Sequence, residues 1–398
     1  GQLAMLYLGG LLAATMLLRG RGARLAEPGV ALGTLVVIGY GLSERWLPGM
    51  LHFARSLSAE GRLEQPLTYW NGMGELAAIG AVVSLRLAGD GTRPRPVRLV
   101  AAAALTPLIV GLYISFSRGA LFAAAAGIIT LVVLAPSRAQ LRSGGLALAA
   151  GILAAAACSP FHGFTSVAGG LARREREGAI VLGIVVLVAL AETFAQRRLI
   201  DRREVGVARL PSHARWLALG LICAGLAVAI IAGAKESSSH PLSGGAGRLT
   251  TLQSNRYAYW RVALRAFADE PIRGVGAGGW AVYWQRLRPI DEFARDAHSL
   301  PLQILAELGL IGLALLAAFL AGIGWAARVA YRLAPSAASG PIAGVVAYVA
   351  HAPLDWDWEM PAVTLVGLLL AAALLGMAEG ETADGVIYTP AMPSEAVS

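Results

Sequence analysis

Apolar runs near the length of a membrane crossing recur along this 398-residue chain, and they leave few folds open. Crossing the hydrocarbon core of a bilayer takes about 20 apolar helical residues. No water is available there to pair with backbone N–H and C=O groups, so each run must satisfy them internally, as a helix. Only 15% of the residues are charged against 56% hydrophobic, where a soluble domain carries roughly a quarter charged. The chain is therefore expected to be an all-α polytopic membrane protein. Eleven runs qualify, at about 2–18, 29–43, 70–88, 98–115, 119–135, 145–162, 178–195, 216–233, 299–321, 339–353 and 361–378. Gly1 lies inside an apolar stretch, with no initiator Met and no signal-peptide layout, so a twelfth, preceding span is expected.

Arginine placement gives the orientation. One set of connections, which includes Arg19 to Arg24, Arg86 to Arg98 and "QRRLIDRREVGVARLPSHAR", holds 17 arginines. The opposite short connections hold seven, so the first set is expected to be cytoplasmic. The net charge of +8 fits loop arginines in a membrane protein and does not call for nucleic acid. Cys158 and Cys223 both fall in apolar spans, where a thiol behaves as a small hydrophobe, and no second ligand stands at metal spacing.

The chain divides into an N-terminal bundle over 1–233, an external segment over 234–298, C-terminal spans over 299–378 and a disordered cytoplasmic tail over 379–398. The external segment opens on the flexible "KESSSHPLSGGAG". Next comes "SNRYAYWRVALRAFADE", an amphipathic helix capped by Ser254 or Asn255, with Tyr257, Trp260, Leu264 and Phe267 on its apolar stripe. "EPIRGVGAGGW" ends it in a glycine-rich turn. Aromatic residues with basic flanks suit a membrane surface.

Four constellations carry chemistry. In "YISFSRGALFAAAAG", Arg118 stands between two spans, where it either snorkels to headgroups or binds an anion. Arg256, Arg261 and Arg265 lie off the helix stripe; Arg261 and Arg265 share a face, and each is either solvated, bound to lipid phosphate or part of a site. In "RDAHSLPLQILAELGLIG", His298 precedes a helix capped by Ser299 with Pro301 in its first turn. A helix start offers N–H groups to a phosphate, and an imidazole there exchanges protons near neutral pH or is simply wetted at the interface. Glu307 lies deeper, either functional or paired with a neighbouring helix. In "HAPLDWDWEMP", Asp355 and Asp357 form a D-x-D pattern suited to a divalent metal beside a sugar diphosphate, while Trp356 and Trp358 also suit a headgroup-level aromatic belt. P-loop, nucleophile-elbow and H-E-x-x-H motifs are missing, which argues against ATP-driven transport and metal-dependent proteolysis.

Taken in order, "SFSRGA", "NRYAYWRVAL…DEPIRGVGAGGW" and "AHSLPLQILAELGLIG" resemble the O-antigen ligase / O-antigen polymerase superfamily of bacterial envelope enzymes. "LEQPLTYWNGMGELAAIGAVVSL", with Asn71, and "H…LDWDWEMPA" extend the resemblance over most of residues 60–375. It implies a GT-C-type glycosyltransferase of about twelve spans, working on the outer face of the bacterial cytoplasmic membrane. The donor would be a glycan on undecaprenyl diphosphate, and the acceptor a hydroxyl of lipid A core, another glycan or a protein. Neither a metal nor a nucleotide sugar would be needed. The family's functional residues map onto Arg118, His298 and a loop arginine, assigned to Arg256 with Arg261 and Arg265 still open. Asn71, Glu307 and Asp355 join the candidate substrate contacts.

Such a transfer needs charge stabilised on a departing diphosphate, which suits arginine, and a proton removed from the acceptor hydroxyl, which suits His298. The competing readings are a non-enzymatic flippase for lipid-linked glycans and a metal-dependent glycosyltransferase using Asp355 and Asp357.

Overall fold

A computed structural model describes residues 1–201 and 255–383, with the single positions 213, 216, 217, 220, 221, 223 and 224 between them. The expected span at 216–233, the "KESSSHPLSGGAG" stretch, Ser254 and the tail beyond 383 lie wholly or largely outside these residues. Thirteen α-helices are described: α1 (Gln2–Leu17), α2 (Ala23–Trp46), α3 (Trp70–Gly89), α4 (Arg95–Ile114), α5 (Arg118–Leu134), α6 (Arg138–Cys158), α7 (His162–Thr165), α8 (Leu171–Asp201), α9 (Arg256–Asp269), α10 (Gly279–Leu287), α11 (Leu300–Leu333), α12 (Pro335–His351) and α13 (Pro361–Ala383). Among the described residues, seven helices are long and apolar enough to cross a membrane: α2, α3, α4, α6, α8, α11 and α13. The helices α1 and α5 are apolar but shorter, α12 has 17 residues, and the expected span at 216–233 lies largely outside the described residues. The helix α13 runs to Ala383, past the expected start of the tail. Cys158 is buried and Cys223 exposed, and neither is in a disulfide.

The centre of the bundle is α3. From Asn71 to Gly89 every residue is buried, because α2, α4, α5, α6 and α12 surround it. Eight of the 20 residues of α3 are alanine or glycine, and such small residues let neighbouring backbones approach closely. At its far end Arg86 is buried and paired with Asp90 at 3.1 Å. It also donates to Gln140 Oε1 at 2.9 Å and to the Ser336 carbonyl at 2.8 Å, joining α3 to α6 and α12.

The sequence suggested one continuous span at 299–321. The helix is longer, and it breaks at Gly309 (φ 62°, ψ −156°). The "PIRGVG" turn is stitched into that break. Leu310 and Ile311 donate N–H bonds to the Pro271 and Ile272 carbonyls at 2.9 and 3.3 Å. Val275 and Gly276 in turn donate to the Ala306 and Glu307 carbonyls, each at 3.0 Å. The turn thus replaces pairings that the helix loses at its break. A Cβ on Gly309 would lie 2.4 Å from the Ile272 carbonyl oxygen, and one on Gly274 would lie 2.3 Å from the Glu307 backbone. The segment carrying α9 and α10 is therefore fastened to α11 through backbone.

The helix α9 also differs from expectation. Its buried face is Tyr259, Trp260, Val262, Ala263 and Ala266, packed against α10 and α11, while Leu264 is 51% exposed. Of the expected stripe, Trp260 belongs to this face, and Tyr257 and Phe267 are half-buried. Asn255 does not cap α9 with its side chain; it donates to Glu292 Oε2 at 2.6 Å.

Gly309→Ala should lower the unfolding midpoint in detergent by several degrees, since a left-handed residue carries about 1–3 kcal/mol of strain even before the clash. Gly322→Ala in the same helix, where a Cβ meets nothing within 4 Å, should leave the midpoint unchanged. Equal midpoints for the two variants would contradict the stitched break.

Candidate active site

One end of the bundle gathers ionisable side chains from four parts of the chain. At its centre is Asp355, in the connection from α12 to α13 and without solvent exposure. Arg256 Nη2 lies 2.5 Å from its Oδ2. Tyr69, just before α3, donates its hydroxyl to Oδ1 at 2.5 Å, and Asn71 Nδ2 donates to Oδ2 at 2.6 Å. The Trp356 N–H adds a bond to Oδ1 at 2.9 Å. Burial pushes the Asp355 carboxyl upward, but Arg256 first, then His298 and His351, outweigh it and hold the group below the usual carboxylate range. Its partner Arg256 is half-buried, and Asp355 holds its guanidinium charged despite burial.

His298 stands beside this group. Its backbone is left-handed at φ 50°, a conformation in which non-glycine residues are uncommon and which marks functional turns. Asp296 fixes it. Asp296 Oδ1 accepts from the His298 N–H at 3.1 Å and lies 2.8 Å from Nδ1. The imidazole ring lies against Tyr259 at 4.8 Å between centroids, tilted by 37°, one helical turn along α9 from Arg256. Burial pulls the His298 pKa down, but the hydrogen bond and charge of Asp296 raise it above the ordinary histidine value. With Nδ1 facing Asp296, Nε2 is the nitrogen left to exchange a proton with a ligand. Ser299 caps α11 as expected in position, though without a side-chain bond, and Pro301 is in the first turn. The first N–H of that helix is not open to a phosphate, because Leu300 N donates to the Ala352 carbonyl at 2.9 Å.

Arg118 is the first residue of α5, half-buried, after Ser117, whose hydroxyl accepts from Ala120 N at 3.2 Å. The glycine that follows has a steric reason. A Cβ on Gly119 would lie 2.7 Å from His351 Nε2, and His351 Nδ1 sits 2.7 Å from Asp357 Oδ2. The start of α5 is thereby packed against the same connection that holds Asp355. Asp355 and Asp357, read together as a D-x-D metal pattern, are each engaged with a different basic partner, Arg256 and His351. Among the described residues no group of three or more His, Cys, Asp or Glu side chains is arranged to hold a metal ion.

The remaining candidates lie elsewhere. Arg261 and Arg265 are on the exposed face of α9, Arg261 over the Tyr257 ring at 5.1 Å. Glu307 accepts from Gln303 Nε2 at 2.6 Å and from the Trp280 N–H at 3.4 Å, under the first turn of α10. Tyr69, Tyr259, Asp296 and His351 were not singled out from the sequence. Only Asp296 had a local signal, an acid two residues before a histidine, which is the spacing of a side-chain-closed turn. A partly open cavity of about 240 Å³, which His298 does not line, is walled by residues including Glu44, Arg45, Arg55, Arg62 and Glu64. Arg45 there donates to three backbone carbonyls and Glu64 accepts twice from Ser56, so these charges brace the 47–69 connection.

Histidine-selective NMR in detergent should find the His298 pKa above about 6.5 and lower in Asp296→Asn. An unchanged pKa in that variant would contradict the pairing.

Residues 163–317 match the family model described as O-antigen ligase. The matched region includes α9, α10, His298, Asp296 and the broken part of α11, while Tyr69, Asn71, Arg118 and Asp355 fall outside it. No curated protein matches the chain. The match supports an O-antigen ligase/polymerase family assignment and with it a membrane glycan ligase or polymerase role.

Proposed function

We propose that the protein transfers or polymerises a glycan from undecaprenyl diphosphate onto an acceptor hydroxyl, on the outer side of the bacterial cytoplasmic membrane and with GT-C-type architecture. The observation that carries this reading is the placement of a carboxylate-held guanidinium, Arg256, one turn from the Tyr259 ring that packs against a carboxylate-held imidazole, His298. The family match over His298 and Arg256 supports it.

In this reading the acceptor O–H gives its proton to His298 Nε2 as its oxygen attacks the anomeric carbon. The bond from that carbon to the diphosphate oxygen breaks, and the lipid diphosphate leaves with the electron pair. Arg256 and Arg118 stabilise the charge that develops there, since a guanidinium binds phosphate oxygens through a planar fork and stays protonated. Attack opposite the leaving group inverts the anomeric centre. Asp296 keeps Nδ1 occupied, as an orienting acid does in other histidine bases.

With purified donor and acceptor, His298→Ala should reduce transfer by about 10²–10⁴-fold, and Arg256→Ala and Arg118→Ala by a comparable factor, at unchanged membrane abundance. Full activity in His298→Ala would contradict the reading. Movement of donor across liposomes without a new glycosidic bond would favour the flippase. Because His298 acts as a base only when neutral, the rate should rise with pH through its raised pKa. Asp296→Asn should shift that rise to lower pH; a shift to higher pH would contradict the dyad.

A further inference from the structure

The D-x-D pattern has an occupant between its acids, and the acids explain its position. Asp355 is held by Arg256, Tyr69 and Asn71. Asp357, also buried, is held by His351. The residue between them is pinned on both sides, and its own N–H is tied to Asp355 Oδ1 at 2.9 Å. That residue is Trp356, half-buried. Its ring is 4.6 Å from the Tyr69 ring and 6.3 Å from the His298 ring, between centroids.

We propose that Trp356 is the platform for the sugar directly attached to the lipid diphosphate: a pyranose lying with one C–H face on the indole. This rests on the glycan-transfer reading above. In that reaction the sugar being transferred must sit between the acceptor side, marked by His298, and the diphosphate side, marked by Arg256. Trp356 borders both, through its ring near His298 and through the adjacent Asp355 that grips Arg256. A pyranose has polar edges and apolar faces, and a rigid indole offers a wide apolar surface at low entropic cost. A headgroup-level belt tryptophan would turn its ring to lipid. Trp356 instead packs against Tyr69, a buried residue of the cluster. The acids, suggestive of a metal in the sequence, serve here to fix the aromatic ring between them.

Binding by the purified full chain is measured for two probes: undecaprenyl diphosphate without sugar, and the same lipid diphosphate carrying one hexose. Trp356→Ala should weaken binding of the glycosylated probe about tenfold while leaving the bare lipid diphosphate within about twofold, the scale of one lost aromatic contact. Trp356→Phe, which keeps an aromatic face, should stay within about threefold of the natural protein for both probes. Equal loss for both probes in Trp356→Ala, or no loss for either, would overturn the proposal. His298→Ala in parallel separates the two claims. It should bind both probes normally yet lose transfer by about 10²–10⁴-fold. Retained transfer in that variant would refute His298 as base while leaving the Trp356 comparison to stand by itself.

Discussion

A carboxylate without solvent contact at one end of a membrane bundle is the constraint on which the site depends. Left alone, a buried charge costs several kcal/mol, so Asp355 requires its partners. They come from α9, from the residue before α3, from α3 itself and from the next backbone amide. Meeting that need joins the central helix to the segment between α8 and α11, and it fixes the guanidinium of Arg256 in the process. The arginine is therefore oriented before any ligand arrives, which is what electrostatic stabilisation of a developing charge demands.

The broken α11 works on the same problem from the backbone side. Helix α9 carries both Arg256 and the Tyr259 ring that packs against His298, so its position relative to α11 sets the distance between guanidinium and imidazole. Stitching "PIRGVG" into the break at Gly309 fixes that position through main-chain bonds, which do not depend on side-chain rotamers. Glu307 belongs to this arrangement through the first turn of α10. His351 performs a related task on α5, where its ring fills the space that a side chain at Gly119 would take.

Much of this was legible in the sequence, and the limits have physical causes. Membrane-length apolar runs place most helices within a few residues, because hydrocarbon allows little else. Apolarity alone does not separate a spanning helix from a shorter apolar one, as α1 and α5 show. Arg118 stood out between two apolar spans, Arg256 and His298 in the hydrophilic segment and at its end, Asp355 in a D-x-D pattern, and Asn71 through the family resemblance. What the sequence could not carry was their pairing: Asp355 reaches Arg256 across 99 positions and Tyr69 across 286. On α9 the large side chains pointed to Trp260, while the small Ala263 and Ala266, which also pack on the buried face, carried no comparable signal.

The most direct measurement is an experimental map of the protein with undecaprenyl-diphosphate-linked glycan bound. The account predicts diphosphate oxygens within hydrogen-bonding distance of Arg256 and Arg118, with the anomeric carbon on the side of His298 Nε2. Diphosphate bound elsewhere, for example in the cavity beside Arg45 and Glu64 with His298 remote from the sugar, would contradict it.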